Sequence, residues 1–160
     1  MKKCEKIWKN MEKYDKNKYY VKIGGNAMRR VLTYGTFDLL HYGHLNILKN
    51  CKNMGDHLTV GLSSNEFNLL KGKQCEMSFE ERKEILQNIN YIDQIIKEDN
   101  WDQKIEDIKK YNIDVFIMGD DWKGKFDYLK EYCEVIYLPR TEFISTTLLK
   151  EIINNYKEAK

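Results

Sequence analysis

Three groups of residues in this chain have the types and spacing for phosphate chemistry. The first is Gly35-Thr36-Phe37-Asp38, followed by His41-Tyr42-Gly43-His44. Imidazoles three residues apart share one face of a first helical turn. When neutral, they donate hydrogen bonds to a polyphosphate without the desolvation cost of a permanent charge. Gly43 removes the side chain that would stand between them, and Gly35 lets the backbone come close to a ligand. The second group is Met118-Gly119-Asp120-Asp121-Trp122, and the third runs from Leu138-Pro139-Arg140-Thr141 through Ile144-Ser145-Thr146-Thr147. Read alone, H-x-G-H describes only a capped helix with two surface histidines. A metal pair would need a third ligand, which no other motif supplies. A dinucleotide loop would need G-x-G-x-x-G, which is absent. A strand, then T-x-G-T-F-D, then H-x-G-H instead describes a strand–turn–helix whose free N–H groups receive phosphate.

The elements that must hold these groups follow from hydrophobic periodicity. Val31–Tyr34 reads as a buried strand. Leu45, Ile47, Leu48 and Cys51 form one face of a helix closing near Gly55. Leu58–Ser63 is a second strand, with His57 a surface residue at its start. Residues 65–73 read as a loop or single helical turn carrying Lys71 and Lys73, either an ordinary solvated loop or a cationic flap. Ser78-Phe79-Glu80-Glu81 is a capping box opening a helix, with Arg82 one turn in. A strand over 94–97, a helix over 101–111 and a central strand over 114–118 follow. The pattern then predicts a helix over 126–132, a strand over 134–137 and a sharp exit at Pro139. Ser145 is read as the N-cap of a terminal helix ending near Tyr156. Alternation of this kind predicts an α/β fold: a Rossmann-like doubly wound parallel sheet of about five strands with helices on both faces. In such sheets ligands sit beyond the carboxyl ends of the strands, where strand order reverses. All three groups leave a strand at that end.

At 160 residues the chain is one domain with enough apolar content, 42%, to build a core. Residues 1–30 hold ten basic and three acidic side chains, a charge of +7, which leaves 17 basic against 22 acidic, or −5, for the rest. Residues 1–27 thus read as a basic extension, with Cys4, Ile7, Trp8, Met11 and Tyr14 at the spacing of a short amphipathic helix, and 28–160 as the domain proper. An acidic body argues against a nucleic-acid reader. No apolar run reaches 18 residues, and the N-terminus lacks the apolar core of a secretory signal. Cys4, Cys51, Cys75 and Cys133 show neither C-x-x-C nor framework spacing, which predicts reduced thiols.

On the three groups together with Ser78-Phe79-Glu80-Glu81-Arg82-Lys83, the sequence resembles the glycerol-3-phosphate cytidylyltransferases of the H-x-G-H nucleotidyltransferase superfamily, over about residues 28 to 150. The resemblance implies CMP transfer from CTP to sn-glycerol 3-phosphate, giving CDP-glycerol for a teichoic-acid-like or capsular polymer. It implies Mg²⁺ arriving with CTP and held by no protein side chains alone, a cytoplasmic homodimer, and neither nucleic-acid nor membrane partners. It carries His41, His44, Lys71 and Arg140 into catalysis. Thr36, Phe37, Lys73, Arg82, Asp120, Asp121, Trp122, Ile144, Ser145 and Thr146 join His41, His44 and Arg140 around the nucleotide, while Asp38 and Lys71 meet the acceptor. Two residues depart from the pattern: Phe143 stands where glycine is usual, and Asn90 where arginine is common.

Overall fold

The computed structural model describes residues 28–158, so the basic extension lies outside the described residues. Its sheet is built from β1 (Arg30–Gly35), β2 (His57–Ser63), β3 (Gln94–Glu98), β4 (Val115–Gly119) and β5 (Glu134–Leu138). The strands are all parallel in the order β3-β2-β1-β4-β5. The connections are α1 (Tyr42–Asn53), α2 (Asn65–Leu70), α3 (Phe79–Gln87) and α4 (Gln103–Lys110), and α5 (Thr146–Glu158) closes the chain. The order reverses between β1 and β4, which puts the crevice beyond Gly35 and Gly119.

Alternating side chains of β1 sort the core into two layers. Val31 joins Leu58, Val60, Leu62, Val115 and Ile117 beneath Leu48 and Cys51 of α1 and Leu86 of α3. Leu32 and Tyr34 face the other way, with Phe116, Met118, Ile108 of α4, Phe126 and Leu129. Helices therefore cover both faces, the doubly wound arrangement expected. The amino edge of the sheet is closed by carboxylates. Asp56 accepts from Arg29 N at 2.8 Å, Asp114 from Arg30 N at 2.7 Å and Asp93 from Leu58 N at 2.6 Å. These acids satisfy strand-end donors at the end opposite the crevice.

Three sequence expectations need correction. Residues 65–70 form a true helix, α2, because the Ser64 hydroxyl accepts from Phe67 N. Helix α4 starts at Gln103, not Trp101, because the Asn100 side chain accepts from both Asp102 N and Gln103 N. That frees Trp101 to pack edge-on against Phe67 at 5.1 Å. The helix expected over 126–132 is only a 3-10 turn at Asp127–Glu131; the Tyr137 hydroxyl accepts from Phe126 N, where a helix would place a carbonyl. His57, at the start of β2, is half-buried and still reaches the surface.

Gly61 in β2 gives the sharpest packing test. A Cβ there would lie 2.1 Å from the Tyr34 ring, and that ring's hydroxyl donates to Asp107 of α4 at 2.6 Å. Gly61→Ala must displace a buried tyrosine and break this bond. It is expected to destabilise the domain by about 1–3 kcal/mol, read as a lower urea midpoint with an unchanged slope.

Candidate active site

The two histidines are fixed by α1 itself. His41 is the N-cap, in extended conformation, and its Nδ1 accepts from Gly43 N at 3.0 Å. His44, three residues on, turns its Nδ1 back to accept from His41 N at 3.4 Å. This is a capping box made from two imidazoles. With both Nδ1 atoms accepting, each neutral ring must carry its proton on Nε2. The rings stack with centroids 3.8 Å apart and planes 23° from parallel. A Cβ on Gly43 would come within 2.9 Å of the His41 ring and 3.3 Å of Ile144, so glycine here permits the stack. The opening beside Gly35 has a different use from the one expected. The Phe37 ring occupies it, 2.7 Å from where a Cβ would stand. Phe37 adopts φ 50° and Leu39 φ 47°, a left-handed geometry that brings the buried Phe37 ring edge-on to His44 at 5.4 Å.

Burial keeps both rings neutral. It drives the His44 pKa down to about 3, with His41 alongside adding to the effect. It lowers that of His41 as well, helped by Arg140. Asp38 behaves oppositely. Its own burial would raise its pKa, but the N–H of Glu76, the Lys150 ammonium and the N–H of Met77 together hold it below the usual carboxylate range.

A cleft of about 620 Å³ opens at the switch point. Of the residues singled out in the sequence, Thr36, Phe37, Asp38, His41 and His44 line it from the β1 side. Lys73 lines it from the loop after α2, Asp121 and Trp122 from beyond β4, and Arg140, Ile144 and Thr146 from beyond β5. Lys73 Nζ lies 5.8 Å from the Trp122 ring centroid, spanning the crevice. Arg140 faces Asp121 at 3.9 Å. The N-terminal turns of α1 and α5 meet here, and neither holds an acidic residue. The Thr146 hydroxyl donates to the Asp38 carbonyl at 3.2 Å and so turns a lone pair toward His41 Nε2, 3.4 Å away.

Four of the residues singled out are placed elsewhere. Lys71 turns into the body, donating to Ser63 Oγ at 2.7 Å and pairing with Glu98 at 3.4 Å, with its ammonium 4.3 Å from the Phe67 ring centroid. Burial lowers its pKa despite the carboxylate. Arg82 is 1% exposed. It braces the signature loop, donating to Thr36 O at 2.6 Å, Ser63 O at 3.0 Å and Asn65 Oδ1 at 2.7 Å. Asp120 is exposed at the start of a second 3-10 turn, Asp120–Trp122, and does not line the cleft. Ser145 caps α5, its hydroxyl accepting from Leu148 N at 3.1 Å. Three of these departures share a cause, a nearer partner: a carboxylate for Lys71, backbone carbonyls for Arg82 and a helix N–H for Ser145.

The structure adds residues that sequence reasoning missed. Lys150, one turn into α5, lines the cleft and pairs with Asp38 at 2.9 Å. Its signal was its i+4 spacing from Thr146. Glu98, at the end of β3, holds Lys104 at 2.7 Å as well as Lys71, and all three side chains are nearly inaccessible. No group of three or more potential metal ligands clusters among the described residues. No described helix is long and apolar enough to cross a membrane.

A switch-point cleft fed by two helix N-termini and a locked imidazole pair has the donors and the position suited to an anionic ligand. The chain belongs to the cytidylyltransferase-like family, whose pattern matches residues 32–152. Among individual proteins, the glycerol-3-phosphate cytidylyltransferase of Bacillus spizizenii is 61% identical over 124 residues, 78% of this chain and 96% of that protein. The Staphylococcus aureus protein of the same name is 53% identical over 133 residues, 83% of this chain and all of its own length. A solved lipopolysaccharide core biosynthesis protein from Thermoplasma volcanium superposes with a TM-score of 0.64 over 72% of this chain and 100% of its own. At 24% identity that likeness shows the fold.

The buried histidines carry a linkage consequence. Between about pH 3 and the ordinary histidine value of 6.5, the unfolded chain binds a proton at His44 that the folded chain refuses. Stability is therefore complete above pH 6.5 and falls as the pH is lowered through that window, by on the order of 1–2 kcal/mol at pH 5. His44→Gln keeps a side-chain acceptor for the cap without titrating, so its denaturation midpoint should be flatter than the wild type's between pH 7 and pH 5. Parallel curves would mean that His44 is not buried neutral.

Proposed function

We propose that this chain transfers CMP from CTP to sn-glycerol 3-phosphate, releasing pyrophosphate and forming CDP-glycerol, a precursor for a teichoic-acid-like or capsular polymer. The observation that carries the proposal is the pair of Nε2–H donors fixed between two helix N-termini at the switch point. The relatives at 53–61% identity supply the acceptor.

The chemistry asks little proton transfer of the protein. The attacking phosphomonoester oxygen is largely deprotonated at neutral pH, its second pKa being about 6. It attacks the α-phosphorus, the bond from that phosphorus to the bridging oxygen breaks, and pyrophosphate leaves with the electron pair. The site has to hold two anions in line and to meet charge where it builds up. His41 and His44 donate to the α-phosphate and bridging oxygens. Arg140 and the first turn of α5, through Ser145 and Thr146, receive the outer phosphates, and Lys73 reaches over them. Trp122 and Asp121 flank the ribose and base, with Ile144 packing beneath. Lys71 would reach the acceptor only by leaving Glu98. Arg82 and Asp38 act by holding the loops that carry these groups.

Asp121, about half exposed and only loosely paired with Arg140, suits a water-mediated contact to a Mg²⁺ ion carried by the triphosphate, whose role is to neutralise phosphate charge. Cys51, Cys75 and Cys133 form no disulfide among the described residues, in keeping with a cytoplasmic reaction. Pairing as a homodimer is supported by the resemblance, and sedimentation tests it.

Two measurements test the proposal. CTP, Mg²⁺ and sn-glycerol 3-phosphate should release pyrophosphate far faster than ATP with any sugar phosphate; the reverse order would overturn the assignment. His44→Ala should keep the fold and lower kcat by roughly 10²–10³, the scale of losing one transition-state donor, and His41→Ala should act similarly. A normal kcat in either variant would remove the imidazoles from the mechanism.

A further inference from the structure

The segment 73–77, between α2 and α3, belongs to no helix or strand, yet it carries Lys73 across the crevice to Trp122. Asp38 and Lys150 hold it. The buried Asp38 carboxylate accepts from Glu76 N at 2.9 Å and Met77 N at 3.1 Å, and it pairs with Lys150 Nζ at 2.9 Å. Lys150 Nζ also donates to the carbonyl of Gln74, the neighbour of Lys73. Asp38 is tied at its other end too, its carbonyl accepting from Thr146 Oγ1 in the first turn of α5. One lysine therefore joins the cationic loop to the helix end that faces the imidazoles.

We propose that Lys150 is a positioning residue that clips the Lys73 loop to the N-terminal turn of α5 through Asp38, so that the two phosphate-facing parts of the cleft move as one. The inference rests on the function proposed above only where it concerns substrate. Lys150 is poorly suited to act directly on substrate. Were its ammonium to leave, a carboxylate that is 2% exposed would lose its only ionic partner among the described residues, which is strongly unfavourable. The Asp38 end of the pair is buried, whereas the Lys150 side chain keeps 25% of its surface exposed along the cleft. Nor does α5 need Lys150 for its own start, since Ser145 caps it. The geometry gives the lysine a role outside its own helix.

The test uses full-length Lys150→Met and Lys150→Arg, with Lys73→Met as the probe of coupling. In ligand-free Lys150→Met, the amides of Glu76 and Met77 should exchange with deuterium at least about tenfold faster, and Mg·CTP should bind about tenfold more weakly. Lys150→Arg, which keeps a donor for both Asp38 and Gln74, should restore most of each. Lys73→Met should weaken CTP binding in the wild-type background and do little more once Lys150 is methionine, because the loop no longer places Lys73. Additive effects of the two substitutions would overturn the coupling, as would unchanged exchange at Glu76 and Met77. If Lys150→Met does not fold, Lys150→Gln takes its place with the same expectations. Faster exchange in the variant, combined with no CTP binding by the wild type, would leave the clip standing and overturn the proposed function instead.

Discussion

The site depends on one local exchange of hydrogen bonds, that between two imidazoles and the backbone at the start of α1. A helix N-terminus must satisfy donors that have no carbonyl within the helix. Ser or Asp with a Glu three residues on would serve α1 equally well, as Ser78 and Glu81 do for α3. Using histidine for both members changes what remains after capping. Each ring spends its acceptor nitrogen on the backbone and keeps a donor. Burial then disfavours a positive charge on both rings, most strongly on His44. The outcome is two neutral donors of fixed tautomer and orientation, which is what preorganised stabilisation of a phosphoryl transition state requires.

The surrounding electrostatics serve the same end. Polyphosphate sites tolerate few free carboxylates, and this body carries an excess of acid. Apart from Asp121, which lines the cleft beside Arg140, acids around the sheet are engaged in two ways. Asp56, Asp93 and Asp114 sit at the amino edge of the sheet, bonded to strand N–H groups. Asp38 and Glu98, nearer the carboxyl edge, are each neutralised by lysine. Glu98 holds two, Lys71 and Lys104, so it would keep a partner if Lys71 turned toward a phosphate. Lys104 is held further by the Tyr34 ring, 4.5 Å from its ammonium.

The strands and the imidazole pair were legible in the sequence because each rests on local pattern. Val31–Tyr34 and Val115–Met118 are runs that only a sheet buried on both faces accepts, and H-x-G-H carries its own geometry. What could not be read was the partner of each charge. Lys71 and Arg82 have the right chemistry for phosphate, and nothing within ten residues says that Glu98 and the Thr36 carbonyl will claim them. Lys150 offered only its i+4 spacing from Thr146, a signal easily passed over because a lysine on an amphipathic helix is ordinarily solvent-facing. Deciding it required knowing that Asp38, more than a hundred residues earlier, is buried against that helix. Charge type is a property of sequence, whereas charge pairing is a property of topology.

Backbone strain adds the last constraint on the cleft. Phe37, Leu39 and Phe143 all take positive φ, at a cost of order 1–3 kcal/mol each for residues with a side chain. For Phe37 the compensation is plain: its ring is 5% exposed, fills the space beside Gly35 and supports His44. Phe143 is 81% exposed, so burial does not offset its geometry in the same way. Its φ of 66° is a conformation that glycine, the residue the resemblance leads one to expect there, adopts at no steric cost. The turn must bend left-handed to swing the chain from Arg140 into the first turn of α5, whichever residue occupies it. That turn brings Thr146 to 3.4 Å from His41 Nε2 and leaves Ser145 to cap α5, so the backbone path here serves the cleft rather than the side chain at 143.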